Sequence, residues 1–380
     1  IIFTLNTSGL PKTCLLKSHS IKWLLIRQKR SKRIQIVLSR HMTKNDTISF
    51  EAPEEIYEDI YLIKIPLPGN PLKNTNSYFI KGADRNLLID TAFNRKICLD
   101  SLMQSLEWLA VDLEKTDLFL THLHSDHTGL AGHICSPNRT VFIGEKDMTL
   151  MQKFYDDAYW DTVDERFIML GFTQEQLDEN RKLNPASIFL PKSFPATLVH
   201  DGDTIDVGKY QLTCLETPGH TPGHMCLYVE KEGILFSGDH IIFDITPNIS
   251  MWSLDDHALD DYIKSLQKVK EMPINMTFSG HRKHIGDCHS RIDALIAHHI
   301  ERLAEIMLIY KENPIDATFS VYEIASKMSW SIRSKGWDDF PLAQKWFAVS
   351  EAGSHLEYLR HQGKLNRKLV GAYYLYSLNA

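Results

Sequence analysis

No stretch of about eighteen uninterrupted apolar residues, the length a membrane-spanning helix needs, occurs in the chain, so no membrane span is expected. Cysteine is sparse: Cys14, Cys98, Cys135, Cys214, Cys226 and Cys288 are scattered without a C-x-x-C pair, which suits reduced thiols in a cytoplasmic protein better than a disulfide framework. No Ser-His-Asp spacing of a nucleophilic triad is evident. Acid is missing from residues 1–45, which carry ten Lys or Arg and no Asp or Glu. The remainder holds 32 basic against 48 acidic residues, a net of −16. A body that acidic is a poor electrostatic match for a phosphate backbone, so a small molecule is expected as partner and nucleic acid is not.

At 380 residues the chain is long enough for two domains. The basic segment 1–45, with Arg27-Gln28-Lys29-Arg30-Ser31-Lys32-Arg33 at its centre, competes as a targeting peptide, a basic arm, or a disordered extension ahead of a start at Met42. The extension is the reading adopted. Residues 46–290 are expected to form a catalytic domain with a helical insertion at 145–190, and 291–380 a small C-terminal domain.

What the chain does have is THLHSDH, Thr121 to His127, at the end of the apolar run Thr116 to Thr121. Side chains alternate along extended backbone, so His122 and His124 project to one side, and the following turn can swing Asp126 and His127 onto it. One loop histidine is ordinarily just solvated. Three histidines and an aspartate within six positions, after an apolar strand, point to a divalent transition metal, zinc above all. Thr128 to Gly132 reads as the first turn of the next helix.

Further along, the strands Ile60–Ile65, Thr75–Ile80 and Asn86–Thr91, then a helix over Ile97–Leu109, describe an α/β layout with ligands at strand ends. Tyr210 to Glu216 delivers Thr217-Pro218-Gly219-His220-Thr221-Pro222-Gly223-His224, where two prolines stiffen the loop that presents His220. His224 reads as a loop support. Gly233 to Phe236 leads into Ser237-Gly238-Asp239-His240, and Asn275 to Phe278 into Ser279-Gly280-His281. The aromatic and Met-rich insertion after Glu145 reads as buried packing, with a lid over the site as the lesser reading.

THLHSDHTG, ETPGHTPGH, FSGDH and SGH, in this order, resemble the metallo-β-lactamase superfamily of hydrolases, with a glyoxalase II-like second loop. The resemblance spans Ile48 to about Asp293. It implies an α+β chain with a four-layer αβ/βα sandwich and a dinuclear metal site on one edge, occupied by two zinc ions, with iron or manganese as alternatives. His122, His124 and His220 would hold the first metal, Asp126, His127 and His281 the second, with Asp239 bridging. Asp90, His224 and His240 would support the ligands, with His284 a further candidate. His240 and the run Gly280-His281-Arg282-Lys283 depart from residues common in relatives, which bears on substrate more than on metal.

Glu323 to Trp330 and Glu351 to Leu365 resemble the C-terminal domain of the lactamase-β-like branch, and helices over Ile292–Lys311, Val321–Lys327 and Pro341–Arg360 followed by a strand pair describe a winged helix. The third helix is expected to bend at Gly353, and its Ser350–His361 part is the one a nucleic-acid groove would receive. Glu351 and Glu357 set against Arg360 leave it without basic character. Trp330, Trp337, Trp346 and Phe347 would wall the pocket or fill the small domain's core.

Two divalent ions roughly 3.5–4 Å apart can bridge a water, lower its pKa and yield hydroxide at neutral pH, and Asp126 is the candidate proton shuttle. The expected activity is hydrolysis of a small-molecule thioester, lactone or related ester-like bond. A single-strand ribonuclease is the alternative, against which stand the acidic body and the 41 positions between Asp239 and His281, too few for a large nucleic-acid clamp. A mononuclear iron dioxygenase is the third reading, and β-lactam hydrolysis is expected at most as a side activity.

Overall fold

Alternating apolar residues build the first sheet. In the computed structural model, which describes residues 50–255, 257–331 and 335–379, seven strands run in chain order: β1 Glu54–Tyr57, β2 Ile60–Pro66, β3 Asn74–Ile80, β4 Asn86–Ile89, β5 Thr116–Leu120, β6 Val141–Gly144 and β7 Thr197–Val199. Strands β1 to β4 pair antiparallel and β4 to β7 parallel. The turn at 200–203 then carries the chain into a second sheet, ordered β12-β11-β10-β9-β8, from β8 Thr204–Val207, β9 Tyr210–Glu216, β10 Met225–Val229, β11 Ile234–Gly238 and β12 Met276–Ser279.

Period-two alternation decides which side chain goes where. Ile60, Leu62, Leu87, Ile89 and Phe119 face Leu212, Cys214, Leu227, Phe236 and Phe278 between the sheets. Their strand neighbours Ile63, Leu88, Leu118 and Leu120 point outward, onto Cys98, Leu102 and Leu106 of helix α1, Lys96–Trp108. Short helices α2 Ser125–Thr128 and α3 Ala131–Ile134 follow β5. The outer face of the second sheet is covered by helix α8, Ala258–Lys270, and by helix α9, Cys288–Lys311. Helix, sheet, sheet, helix is the four-layer sandwich expected.

The insertion holds four helices, α4 Glu145–Lys153, α5 Asp157–Leu170, α6 Gln174–Arg181 and α7 Pro185–Ile188. The C-terminal part has α10 Val321–Lys327, α11 Leu342–His361 and a small sheet ordered β13-β15-β14, from β13 Thr318–Ser320, β14 Leu365–Val370 and β15 Tyr373–Leu378. The two share one core: Val163, Phe167, Leu170 and Leu177 of the insertion pack with Ile306, Val321, Ile324, Val349 and Leu356. Trp346 stacks on Phe167 at 3.4 Å between ring centroids, and Trp330 and Trp337 join the same core, whereas Phe347 is exposed. Large insertion side chains therefore serve packing. The insertion meets the His122–His127 loop at both ends, through Asp147 in α4, which accepts from Leu123 N–H at 2.8 Å, and through the Pro185 carbonyl, which accepts from Ser125 Oγ at 3.1 Å.

Several expectations change. The helical turn after THLH begins at Ser125, three residues earlier than predicted, with His124 in extended backbone at its N-cap. Helix α11 runs unbroken through Gly353, because this glycine serves close approach to Met251 and not a bend: a Cβ there would meet Met251 Sδ at 2.8 Å. Its stretch Ala348–Glu357, which includes most of the part a nucleic-acid groove would receive, is buried. The readings made of residues 1–45 lie outside the described residues. Of the six cysteines, the five that are described are free, and among the described residues no helix is long and apolar enough to cross a membrane.

Candidate metal centre

The two sheets meet along one edge. Asn76 N–H of β3 donates to the Gly280 carbonyl at 2.7 Å, and Thr75 bridges to His281, so the end of β12 is stitched to the first sheet. Tyr78 Oη and Asn76 Nδ2 both donate to the Ser279 carbonyl. Ends of β5, β9, β11 and β12 converge there, bringing together His122, His124, Asp126, His127, His220, Asp239 and His281.

Two groups of three nitrogens and oxygens result. His124 Nδ1 lies 3.0 Å from His122 Nε2 and 3.0 Å from His220 Nε2. His127 Nε2 lies 3.1 Å from His281 Nε2, which is 3.4 Å from Asp126 Oδ2. The Asp239 carboxylate stands between the groups, Oδ2 at 3.6 Å from His220 and 3.4 Å from His281, Oδ1 at 3.6 Å from His127. Both trios, and His122-His127-Asp239, have all their ligand atoms within 4.8 Å of one another.

Whether a cation fits can be judged from the far side of each ring. His127 Nδ1 donates to Asp90 Oδ2, His220 Nδ1 to the Asn248 carbonyl and His281 Nδ1 to the Asn74 carbonyl, each at 2.8 Å. His122 Nδ1 donates at 3.0 Å to Thr121 Oγ1, whose own hydrogen goes to Asp90 Oδ2. With Nδ1 carrying the proton in these four, their Nε2 lone pairs are left facing one another. Lone pairs 3.1 Å apart repel unless positive charge sits between them, and buried Asp239 Oδ1 likewise has no hydrogen-bond partner. The donor set fits a pair of divalent cations, and orienting the ligand histidines by carboxylate and carbonyl is how metal sites hold their ligands.

Electrostatics agree. Burial holds His122 well below its ordinary value and lowers His124 to about 3, so both imidazoles are neutral, as a metal-binding histidine must be. Burial alone would raise the carboxyls, yet His281 and His127 outweigh it, bringing Asp126 to about 2 and Asp239 far below the usual range. Burial likewise disfavours charge on His281, but Asp239 and Asp126 overcome it and raise that imidazole. The pocket draws in positive charge.

Supporting residues surround this set. Asp90, with φ of +60°, takes Thr121 N–H on Oδ1 and both Thr121 Oγ1 and His127 Nδ1 on Oδ2. His224 donates at Nδ1 to Thr217 Oγ1 and accepts at Nε2 from Asp239 N–H at 3.2 Å. His240 has its ring 5.3 Å from that of Tyr262 and belongs to neither trio. His284 is outside both trios, its backbone carbonyl accepting from Ser279 N–H.

Sequence reasoning missed Asp147. Its carboxylate accepts from Leu123 N–H, Thr221 Oγ1 and Gly223 N–H at 2.8, 2.6 and 2.6 Å, tying the first ligand loop to the second. A Cβ on Gly223 would meet Asp147 N at 2.4 Å, so that glycine lets the two backbones touch. The available signal was an acid in the first turn of a helix after a strand, which usually means only a helix start. Asn248 and Trp252 were missed for the same reason, being unremarkable in composition: Trp252 Nε1 donates to the His220 carbonyl at 3.2 Å and its ring stands 5.9 Å from that of His124.

Residues 70–281 match the profile of the metallo-beta-lactamase superfamily. The chain belongs to this superfamily. Within it, a beta-lactamase-like protein 2 homolog of Caenorhabditis elegans is 26% identical over 278 residues, 72% of this chain and 78% of that protein. An acyl-coenzyme A thioesterase of Gallus gallus is 26% identical over 200 residues, 52% of this chain and 67% of its own. The crystal structure of a metallo-beta-lactamase family protein from Thermus thermophilus superposes with a TM-score of 0.70 at 27% identity, covering 84% of this chain and 98% of that one. Membership of the superfamily indicates a hydrolase, and the clustered His and Asp side chains suit divalent metal.

Proposed function

We propose that the protein is a dinuclear metal-dependent hydrolase, with zinc as the metal, acting on a small-molecule thioester, lactone or related ester-like bond. The observation that carries this reading is the pair of donor trios sharing Asp239, with His127 Nε2 and His281 Nε2 facing each other. In the assignment we adopt, His122, His124 and His220 hold one ion, Asp126, His127 and His281 the other, and Asp239 belongs to both. A bound ion pair supplies Lewis acidity and an activated water.

The protein's own groups do the rest. Asp90, Asn74 and Asn248 fix which imidazole nitrogen faces the site, so no tautomer change is needed before reaction. Asp126, whose pKa of about 2 keeps it ionised, would take the proton given up by the attacking water at a carboxylate oxygen and pass it to the leaving thiolate or alkoxide. The Trp252 ring beside His124 gives an apolar wall that suits an acyl group. The thioesterase activity in the name of the Gallus gallus relative supports the thioester as first choice.

The ribonuclease alternative is weakened by burial of α11, the helix it would need. An iron dioxygenase needs one ion, and a complete second trio weighs against it. The test is a screen of acyl thioesters, lactones and a short RNA, at two salt concentrations, on protein of measured metal content. Thioester or lactone turnover that follows metal content is the expected result; salt-sensitive RNA cleavage without it overturns the assignment.

A further inference from the structure

The segment from Asn248 to Trp252 lies between two parts of the molecule. On one side it meets the ligand set, with the Asn248 carbonyl accepting from His220 Nδ1 at 2.8 Å and Trp252 Nε1 donating to the His220 carbonyl. On the other it is held by α11: Asn248 Nδ2 donates to Glu351 Oε2 at 2.7 Å, Ser354 Oγ to the Ile249 carbonyl at 2.7 Å, and Met251 N–H to Ser350 Oγ at 2.9 Å. Gly353 admits Met251 at the same place.

This arrangement is asymmetric in a telling way. His281 and His127 are oriented by Asn74, within β3, and by Asp90, at the end of β4, so a sheet fixes their acceptors. The acceptor that orients His220 belongs to a stretch outside any helix or strand, where backbone ladders contribute nothing. Something else must hold that carbonyl in place, and buried Glu351 is the carboxyl side chain that reaches its residue.

We infer that Glu351 is a positioning residue for the first ion: through Asn248 it fixes the carbonyl that aims the His220 imidazole, making the C-terminal helices a working part of the metal centre. The inference rests on the assignment of His220 as a ligand under the proposed function. It differs from a purely structural role in being selective. Losing the tether weakens the ion held by His122, His124 and His220, while the ion held by Asp126, His127 and His281 keeps its sheet-fixed support.

The experiment uses the full chain as wild type, Glu351→Ala, Glu351→Gln and Asn248→Ala. Asn248→Ala keeps the carbonyl and removes the amide that reaches Glu351, together with its bonds to Ser250 Oγ and the Phe347 carbonyl, which Glu351→Ala leaves in place. Each protein is loaded with Zn2+ and titrated with a chromophoric chelator, and Co2+-loaded samples are read by visible absorption, with thermal unfolding of the metal-free forms recorded alongside. Glu351→Ala and Asn248→Ala are expected to release one ion about 10–100-fold more readily, hold the other as wild type does, and shift the Co2+ spectrum. Glu351→Gln, which retains an acceptor for Asn248 Nδ2, is expected to stay within about threefold of wild type, because the tether survives. Should Glu351→Ala not fold, Asn248→Ala and Glu351→Gln carry the comparison. Wild type holding two ions with Asn248→Ala indistinguishable from it, or with both ions weakened equally, overturns the inference alone; wild type that binds no ion overturns it together with the proposed function.

Discussion

Replacing Asp147 by asparagine should damage metal binding from a distance. Its carboxylate receives Leu123 N–H and Thr221 Oγ1 on Oδ2 and Gly223 N–H on Oδ1. An asparagine offers one oxygen and one NH2, so whichever way the amide turns, a donor is set against at least one buried backbone N–H. A buried donor left unsatisfied costs about 1–3 kcal/mol, and hydrogen bonds to charged groups are the stronger kind, so about 2–4 kcal/mol of stability should go. Leu123 sits between His122 and His124, and Thr221 follows His220, so the same loss frees the first trio to drift out of register. That should weaken the first ion by about 10–100-fold. Urea unfolding of metal-free protein reads the stability term, and chelator competition on loaded protein reads the affinity term. If Asp147→Asn loses stability while binding both ions as tightly as wild type, Asp147 merely supports the fold and the reasoning is wrong.

Three further outcomes follow from the geometry. Asp90→Asn puts an NH2 opposite either Thr121 N–H, which then loses its acceptor beside His122, or His127 Nδ1, which is then pushed towards the wrong tautomer; either way metal affinity should fall by about 10–100-fold, measurable by chelator competition. Burial pushes Glu351 from 4.5 up to about 7 against the opposing pull of Arg302 and Asn248, so the folded state holds its proton more tightly than the unfolded chain does. Its contribution is therefore greatest below about pH 4.5 and declines as pH rises towards 7, by at most about 3 kcal/mol. Glu351→Gln should flatten stability between those pH values, and an unchanged slope by urea titration would count against the burial argument. Finally, stripping metal with a chelator should abolish hydrolysis and lower the unfolding midpoint, since ions that bind only the folded chain stabilise it by about 2.7 kcal/mol at a hundred times their dissociation constant; an unaltered midpoint contradicts ion binding to the folded state.

The parts of the fold that could be read from the chain are those where local pattern and tertiary context agree. The run Leu118-Phe119-Leu120 alternates across its sheet as its apolar character suggests, and the ligand motifs sit at strand ends because backbone there is released from pairing. Strand β10 is buried along its whole length, so Met225-Cys226-Leu227-Tyr228-Val229 shows no apolar-polar alternation to mark it, although the Pro-Gly pairs of TPGHTPGH precede it. Gly353 misled because a helix-interior glycine usually signals weakness, whereas here Met251 occupies the space a side chain would take. Asp147, Asn248 and Glu351 lie outside the ligand motifs and act on metal-loop residues through hydrogen bonds across 24 to 103 positions, which no local pattern encodes. The seven proposed ligands were legible because metal chemistry restricts residue type; of the residues that aim them Asp90 was legible as an acid at a strand end, whereas Asn74 and Asn248 were not, because any acceptor of the right reach would serve.

The most direct measurement is metal content per chain, by elemental analysis of wild type, His220→Ala and His281→Ala after equilibration with Zn2+ and removal of loosely held ions. Two ions for wild type and one for each variant is the result expected of two trios sharing Asp239. A wild type that retains one ion or none, or a His281→Ala protein that still holds two, contradicts the dinuclear centre.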